Sequence, residues 1–154
     1  MLTHEIINPA QELEGFMARN PGSGAFVNFA GQVRRDNLHW PTQALWLEAY
    51  EPLTTHEIHK VMIQTQERWQ LDDMYVKHRV GRVPASHIIV FVATAAAHRR
   101  SAFEAADFLM DYLKTEAFFW KKEILTNEER WIEPRSQDYK DAKRWVIKPK
   151  ETKK

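Results

Sequence analysis

The most constraining feature of this sequence is an apolar strand that continues directly into a long amphipathic segment. The strand is predicted at residues 86–95 and is apolar throughout residues 88–92, as is typical of a central, buried strand. Residues 98–123 follow it, and their first half has the apolar spacing of a helix. This order predicts a functional site at the C-terminal end of the strand.

The start of the predicted helix gathers positive charge. His98, Arg99 and Arg100 lie at its first turn, where free backbone N–H groups and the helix dipole already favour an anion. Dipole stability alone favours acidic residues there, so the cluster is a candidate phosphate or carboxylate site. An ordinary solvated surface remains the alternative, since charged residues are mostly exposed.

The same helix is predicted to bury one face and to end near further basic residues. The predicted face consists of residues spaced three and four apart: Phe103, Ala106, Met110 and Leu113. Lys114 lies near the helix C-terminus, where a cation is favourable without any function. A short buried strand is predicted at residues 118–120, with Lys121 and Lys122 at its exposed end.

Composition narrows the class of protein. The chain has 154 residues, enough for one domain, which we place at residues 1–147, with a disordered basic tail at residues 148–154. A net charge of +1 provides no global field to attract nucleic acid. With no cysteine, the chain has no thiol nucleophile or persulfide of its own. No apolar run is long enough for a membrane span, and we expect a cytoplasmic protein.

The remaining pattern predicts an α+β domain with a mixed, mostly antiparallel sheet. Further strands are expected at residues 3–7, 25–33, 43–51, 74–80 and 130–133, and further helices at 9–19, 54–69 and 138–145. Asn8 is predicted to cap the first of these helices, and Thr54 with Glu57 resembles a capping box. Residues 81–85 are predicted to be a connection, and Gly31 a bulge.

Two further groups of polar residues were weighed as sites. Arg34, Arg35, Asp36 and Asn37 form a polar loop after the strand at residues 25–33, a common place for a site. His56 and His59 are spaced to share a helix face, but no third metal ligand lies nearby in sequence. We interpret the histidines as solvated and predict no metal and no cofactor.

Three separated blocks of sequence resemble the large, catalytic subunit of molybdopterin synthase. They are GAFVNFAGQVRRDN, TAAAHRRSAFEAADFLMDYLKTEAFFWKKE and RWIEPRSQDYKDAKRW, in that order, within residues 24–145. The resemblance implies an α/β-hammerhead fold and a homodimer that forms a heterotetramer with a small ubiquitin-like sulfur-carrier subunit. It implies a sulfurtransferase of molybdenum cofactor biosynthesis. Two sulfurs would pass from the carrier's C-terminal Gly-Gly thiocarboxylate to cyclic pyranopterin monophosphate, forming the molybdopterin dithiolene.

The resemblance also assigns residues. Lys114 and Lys121 are expected to be catalytic. A lysine that is desolvated among other cations has a lowered pKa, and on that chemical ground we expect Lys114 to act as acid or base. Lys121 is then expected to position the substrate and to be a second electrostatic group. The implied substrate-binding set is Gln32, Val33, Arg34, His98, Arg99, Lys114, Lys121, Lys122 and Glu123. Arginine suits a phosphate because it can grip it with two hydrogen bonds. The chain departs from the family pattern at Gln32, where a lysine is usual, and at Phe118, where a proline is usual.

Two other classes of function remain open from the sequence. One is a nucleotide- or RNA-binding module, with Arg34, Arg35, Arg99 and Arg100 on one surface and Trp120 or Phe119 stacking on bases. The near-neutral net charge counts against it. The other is a scaffold that binds the carrier protein without catalysis, and such a scaffold would tolerate the loss of Lys114 and Lys121.

Overall fold

A computed structural model describes residues 1–35, 41–116 and 119–146. The strands are β1 (Leu2–Thr3), β2 (Ala25–Gln32), β3 (Ala44–Ala49), β4 (Asp73–Arg79), β5 (Gly81–Pro84), β6 (Ile88–Ala96), β7 (Phe119–Ile124) and β8 (Glu129–Ile132). The helices are α1 (Pro9–Ala18), α2 (Leu53–Arg68), α3 (Arg99–Thr115) and α4 (Ser136–Lys143). The chain combines helices with strands that pair mostly antiparallel, which confirms the predicted α+β class.

The described strands form two four-stranded sheets rather than the single sheet that the sequence pattern predicted. The first has the order β1-β4-β6-β2, and the second has the order β5-β3-β7-β8. β1 and β4 are parallel, and the other described pairs are antiparallel, so the mixed, mostly antiparallel pairing is confirmed. No helix among the described residues is both long and apolar enough to cross a bilayer.

The first sheet lies between helices, and its central strand β6 is buried as predicted. Side chains alternate across a strand, so neighbouring residues of β6 face opposite layers. Phe91 packs with Phe16 of α1 on one face. Val92 packs with Phe108 and Leu109 of α3 on the other. The second sheet has a smaller apolar cluster of its own, formed by Val33, Leu47 and Val83.

Helix α3 buries most of the predicted face, with a departure near its N-terminal end. Leu113 and Ala106 are buried as expected, but Phe103 is 61% exposed. Fully buried alanines, Ala102 and Ala105, face the sheet instead. Their small side chains let the helix pack closely, and the Thr94 hydroxyl of β6 donates a 2.8 Å hydrogen bond to the Ala102 carbonyl.

Several predicted element boundaries were wrong for identifiable reasons. Residues 81–85 are not a plain connection, because Gly81 adopts a φ of 78° and the chain then forms β5, which pairs with β3. Thr54 does not begin α2. It lies inside the helix, and its hydroxyl accepts a hydrogen bond from the Tyr50 N–H. The first strand is confined to Leu2–Thr3, and α4 begins earlier than predicted.

Other local predictions are confirmed. The Asn8 side chain caps α1 by accepting hydrogen bonds from the backbone N–H groups of Ala10 and Gln11. The register of β2 against β6 shifts between Gly31 and Gln32, as the predicted bulge requires. The interpretations that concern Asp36, Asn37, Phe118 and the basic tail fall outside the described residues.

Gly24 is predicted to be intolerant of any side chain. A Cβ at this position would lie 2.3 Å from the Ala97 carbonyl oxygen, whereas a Cβ on Gly22 meets nothing within 4 Å. Gly24→Ala must therefore displace backbone, and we expect it to lower the free energy of unfolding by about 1–3 kcal/mol. Gly22→Ala is the matched control and should stay within about 0.5 kcal/mol of wild type in the same urea titration. Equal stability of the two variants would contradict this packing.

A cationic cavity as the candidate active site

An open cavity of about 620 Å³ lies where the two sheets meet the C-terminal end of α3. Its lining comes from the end of β2, from β4, β6 and β7, and from the segment between β8 and α4. The predicted site residues that it brings together are Gln32, Arg34, Lys114 and Lys121. They come from two of the three sequence blocks that carry the resemblance, and the third block supplies the rim around Arg135.

Lys114 is held at the cavity by an ion pair. Its Nζ lies 3.5 Å from Oδ1 of Asp138, and the Lys114 side chain is half exposed. The other oxygen, Oδ2, accepts a 2.8 Å hydrogen bond from the Arg135 backbone N–H at the start of α4. α4 is in turn tied to α3, because Arg144 and the Trp145 indole both donate to Asp111.

Lys121 occupies a different environment. It lies on β7 opposite Leu47 and Ile132, on the inward face of the second sheet. No hydrogen bond or ion pair joins its ammonium group to another described residue. Burial lowers the pKa of Lys121 below its ordinary value, and the charge of Lys114 lowers it further, while Asp138 acts in the opposite direction. The desolvated lysine that the sequence analysis expected at position 114 is therefore found at position 121.

The residues around Arg34 divide between core and cavity. Arg34 is exposed and lines the cavity beside Gln32. The Val33 side chain is buried against Leu47 and Val83 and does not line the cavity. The Val33 backbone is bonded on both sides, since its N–H donates to the His87 carbonyl and its carbonyl accepts from Ser86. Val33 thus anchors the chain just before Arg34.

His98 and Arg99 lie elsewhere in this single chain. With Arg100 and Phe103 they line a separate surface pocket at the start of α3. That pocket is near the N-terminal end of β2, where Ala25 pairs with Ala96, whereas the cavity is at the other end of the same strand. A strand of eight residues separates the two by roughly 25 Å.

Lys122 and Glu123 also make contacts of their own outside the cavity. Lys122 forms a 2.6 Å ion pair with Glu129. Glu123 accepts hydrogen bonds from the Thr42 hydroxyl and, at 2.8 Å, from Arg130. Burial acts to raise the pKa of Glu123, but these hydrogen bonds outweigh it and the net pKa lies below its ordinary value. Glu123 is therefore a structural carboxylate that braces β7 in the described chain.

The sequence analysis missed several cavity residues. The polar ones are His78, Glu133, Arg135 and Asp138. Met110, Leu113 and Val90 form part of the apolar wall. His78 was missed because it follows Met74 and Val76 on one face of β4, in the positions that an ordinary inward-facing strand residue would occupy. Arg135 was within a recognised block, and its basic side chain was the available signal.

The histidine pair considered for a metal is exposed on α2. Both His56 and His59 have solvent-exposed side chains. Across residues 1–35, 41–116 and 119–146, no group of three or more side chains is arranged to hold a metal ion. The described chain therefore offers cationic and hydrogen-bonding chemistry at the cavity rather than a ligand set for a metal.

Comparisons with known proteins agree with this fold. The sequence model of the MoaE protein family matches residues 2–116. The molybdopterin synthase catalytic subunit of Pseudomonas aeruginosa is 43% identical over 138 residues, covering 90% of this chain and 92% of the relative. The MoaE molybdopterin biosynthesis protein of Burkholderia ambifaria superposes with a TM-score of 0.80 at 39% identity, covering 96% of this chain and 97% of the other.

A third similarity is to the molybdopterin synthase structure from Staphylococcus aureus. It has a TM-score of 0.78 at 29% identity and covers 85% of this chain and 94% of the other. Fold and sequence thus define a protein of molybdopterin biosynthesis with an α+β architecture. The chain belongs to the MoaE protein family.

The pKa of Lys121 is predicted to depend on Lys114. Removing the positive charge of Lys114 in Lys114→Gln should raise the Lys121 pKa, so the uncharged amine should appear only at higher pH. Asp138→Asn should shift it the opposite way. The pH dependence of acylation at Lys121, followed by mass spectrometry, measures both shifts. Lys60→Gln, an exposed lysine on α2, is the control. A Lys121 midpoint that is the same in all three variants would contradict this coupling.

Proposed function

We propose that this chain transfers sulfur from the C-terminal thiocarboxylate of a small carrier protein to cyclic pyranopterin monophosphate, producing the molybdopterin dithiolene. The observation that carries the proposal is the convergence of Arg34, Lys114 and Lys121 on one cavity, although they are distant in the sequence. Family membership and the names of the relatives support the same reaction. We place the reaction in the cytoplasm, in molybdenum cofactor biosynthesis.

The cavity has the charges that this chemistry needs. Arg34 can bind the substrate phosphate through two N–H groups of its guanidinium. The thiocarboxylate sulfur forms a bond to a substrate carbon while a C–O bond of that carbon breaks, and the displaced oxygen leaves as water or stays on the opened phosphate ester. Water then cleaves the acyl C–S bond, so the sulfur remains on the substrate and the carrier leaves with a carboxylate. Negative charge develops on the acyl oxygen during that cleavage, and a fixed ammonium group nearby stabilises it.

We assign the roles of the two lysines from their surroundings. Lys121 is the better acid or base, because burial and the neighbouring Lys114 lower its pKa towards neutrality. Lys114 keeps an ion pair with Asp138 and is half exposed, which suits electrostatic stabilisation at the cavity mouth. These roles are the reverse of those expected from the sequence, where Lys114 was the acid or base and Lys121 the substrate positioner.

The sulfur must come from a partner. The chain contains no cysteine, so no persulfide can form on it. The carrier's extended Gly-Gly tail is narrow enough to enter an open cavity of this kind, and a Gly-Gly sequence has no side chain to exclude it. The Pseudomonas relative is named as a catalytic subunit, which agrees with a protein that works in a complex.

A second copy of the chain would explain where His98 and Arg99 act. β2 is the last strand of the first sheet, so within the described residues its outer edge is unpaired. Exposed aromatic side chains flank that edge, since Phe29 is 41% and Phe103 is 61% exposed. Open strand edges and exposed apolar patches are typical of protein interfaces. We propose that this edge is the surface of the homodimer.

Such a dimer would complete the cavity. If two β2 edges pair antiparallel about a two-fold axis, the start of one strand lies beside the end of the other. The His98–Arg99 pair lies near the start of β2, and Arg34 follows its end. The basic pair of one copy would then approach the cavity of the other and supply further cations to an anionic substrate.

The RNA-binding alternative is less well supported by the same geometry. It requires the arginines near positions 34 and 99 to share one surface. Within one chain they lie in separate pockets at opposite ends of β2, and the proposed dimer would bring them together at a cavity rather than along a continuous surface. The net charge of +1 gives no compensating attraction to a polyanion.

Loss of Lys114 should abolish most of the activity without unfolding the protein. Lys114→Ala is expected to lower the rate at least about a hundredfold, as is usual when a charge-stabilising group is removed. The assay combines the chain, a thiocarboxylated carrier and cyclic pyranopterin monophosphate, and detects molybdopterin as its fluorescent oxidation product. Lys60→Ala, which removes an exposed lysine from α2, should keep wild-type turnover. Near-normal turnover by Lys114→Ala would remove Lys114 from the mechanism.

The shared cavity makes a separate prediction about mixed dimers. Arg99→Ala and Lys114→Ala should each be impaired alone, because every site lacks one group. Co-expressed together, they should recover about a quarter of wild-type activity, since random pairing leaves that share of sites with both groups intact. A cavity built from one chain alone would show no recovery.

A further inference from the structure

His78 is a buried side chain of the cavity to which neither the sequence nor the proposed reaction assigns a role. It lies near the end of β4, is only 6% exposed, and lines the cavity together with Lys121. Its ring stacks on Phe119 of β7, with 4.1 Å between centroids and 20° between planes. The stack joins the two sheets and fixes the plane of the imidazole.

The hydrogen bonding of His78 determines which ring nitrogen carries the proton. Nδ1 lies 2.8 Å from the backbone carbonyl oxygen of Arg79. A carbonyl oxygen can only accept, so Nδ1 is the protonated nitrogen. Burial lowers the pKa of His78 to about 4, with the Arg79 carbonyl opposing this and Lys121 adding to it. The ring is therefore neutral near pH 7, and Nε2 has an uncommitted lone pair.

That lone pair opens into the cavity. Nε2 makes no hydrogen bond to any residue in the described ranges. It is also not fully enclosed by protein atoms, so a ligand in the cavity can reach it. The other buried residues of the lining, Val90 and Leu113, are apolar. His78 is thus the polar group on the described part of the floor, and a ligand that reaches the floor meets a hydrogen-bond acceptor there.

A buried acceptor differs from the other polar groups of the described lining. Gln32 and Glu133 are exposed, and Asp138 is already paired with Lys114. Arg34, Lys114 and the charged form of Lys121 donate hydrogen bonds, so they suit the phosphate and the thiocarboxylate. A deprotonated phosphate has no hydrogen to offer Nε2. The fused ring system of a pyranopterin does carry N–H groups, and it is flat enough to reach an apolar floor.

We propose that His78 is a specificity-determining residue whose Nε2 accepts a hydrogen bond from a ring N–H of the bound pterin. This inference rests on the proposed function, since it takes the pyranopterin as the substrate. This hydrogen bond would orient the pterin ring towards the cavity floor and the phosphate towards Arg34 at the cavity mouth. An analogue that lacks the ring donor would leave Nε2 unpaired and bind more weakly.

Substitutions of His78 can separate the effect of its hydrogen-bond acceptor from the effect of its ring stack on Phe119. His78→Phe keeps a flat ring against Phe119 but removes the acceptor, and we expect about tenfold weaker binding of cyclic pyranopterin monophosphate. His78→Gln restores an acceptor and should recover most of that loss. Inorganic phosphate, titrated as a competing probe, should bind all three proteins equally. Equal affinity of His78→Phe and wild type for the pterin, or an equal loss for pterin and phosphate, overturns the proposal.

A measurement on the wild-type protein guards against a variant that fails to fold. In protein labelled with ¹⁵N at histidine, the Nε2 resonance of His78 should move upfield when the pterin binds and stay in place with phosphate alone. An unmoved resonance at saturating pterin overturns the proposal. The wild-type sulfur-transfer assay keeps the two hypotheses apart. Activity with an unmoved Nε2 removes only the role of His78, whereas no pterin binding and no transfer removes the proposed function as well.

Discussion

The arrangement of the cavity depends on the close packing of α3 against β6. Ala102 and Ala105 are fully buried at this contact, and the Thr94 hydroxyl bonds to the helix backbone. Interaxial distance depends on the side chains at the contact, so small residues bring the helix close to the sheet. Lys114 lies in the last turn of the same helix, so this packing sets the position of its backbone, and the ion pair with Asp138 then holds its side chain.

Much of the fold was predictable because its strongest signals are local. The apolar run of β6, the Asn8 cap and the bulge after Gly31 each follow from a few neighbouring residues. β5 was not predictable in this way. Its glycine and proline favour a turn locally, but pairing with the distant β3 makes the segment a strand. The exposure of Phe103 has a similar cause, since helical periodicity does not say which of two adjacent stripes faces the sheet.

The same difference between local sequence signals and tertiary context applies to the candidate site. Arg34, Lys114 and Lys121 could be named from sequence blocks, but their surroundings could not. Whether a lysine is desolvated depends on what the tertiary structure places over it, and here this distinguishes Lys121 from Lys114. His78 has no sequence signal at all, because an inward-facing histidine on a strand follows the same alternation as a valine.

The pairing of β3 with β7 has a consequence for how the protein is made. Leu47 and Lys121 are register partners although they are far apart in the chain, and the cavity wall does not exist until they meet. Contacts between distant segments form slowly, because the chain must first lose the entropy of a long loop. A nascent or partly folded chain therefore lacks this cavity, and the proposed sulfur transfer cannot begin before folding is complete.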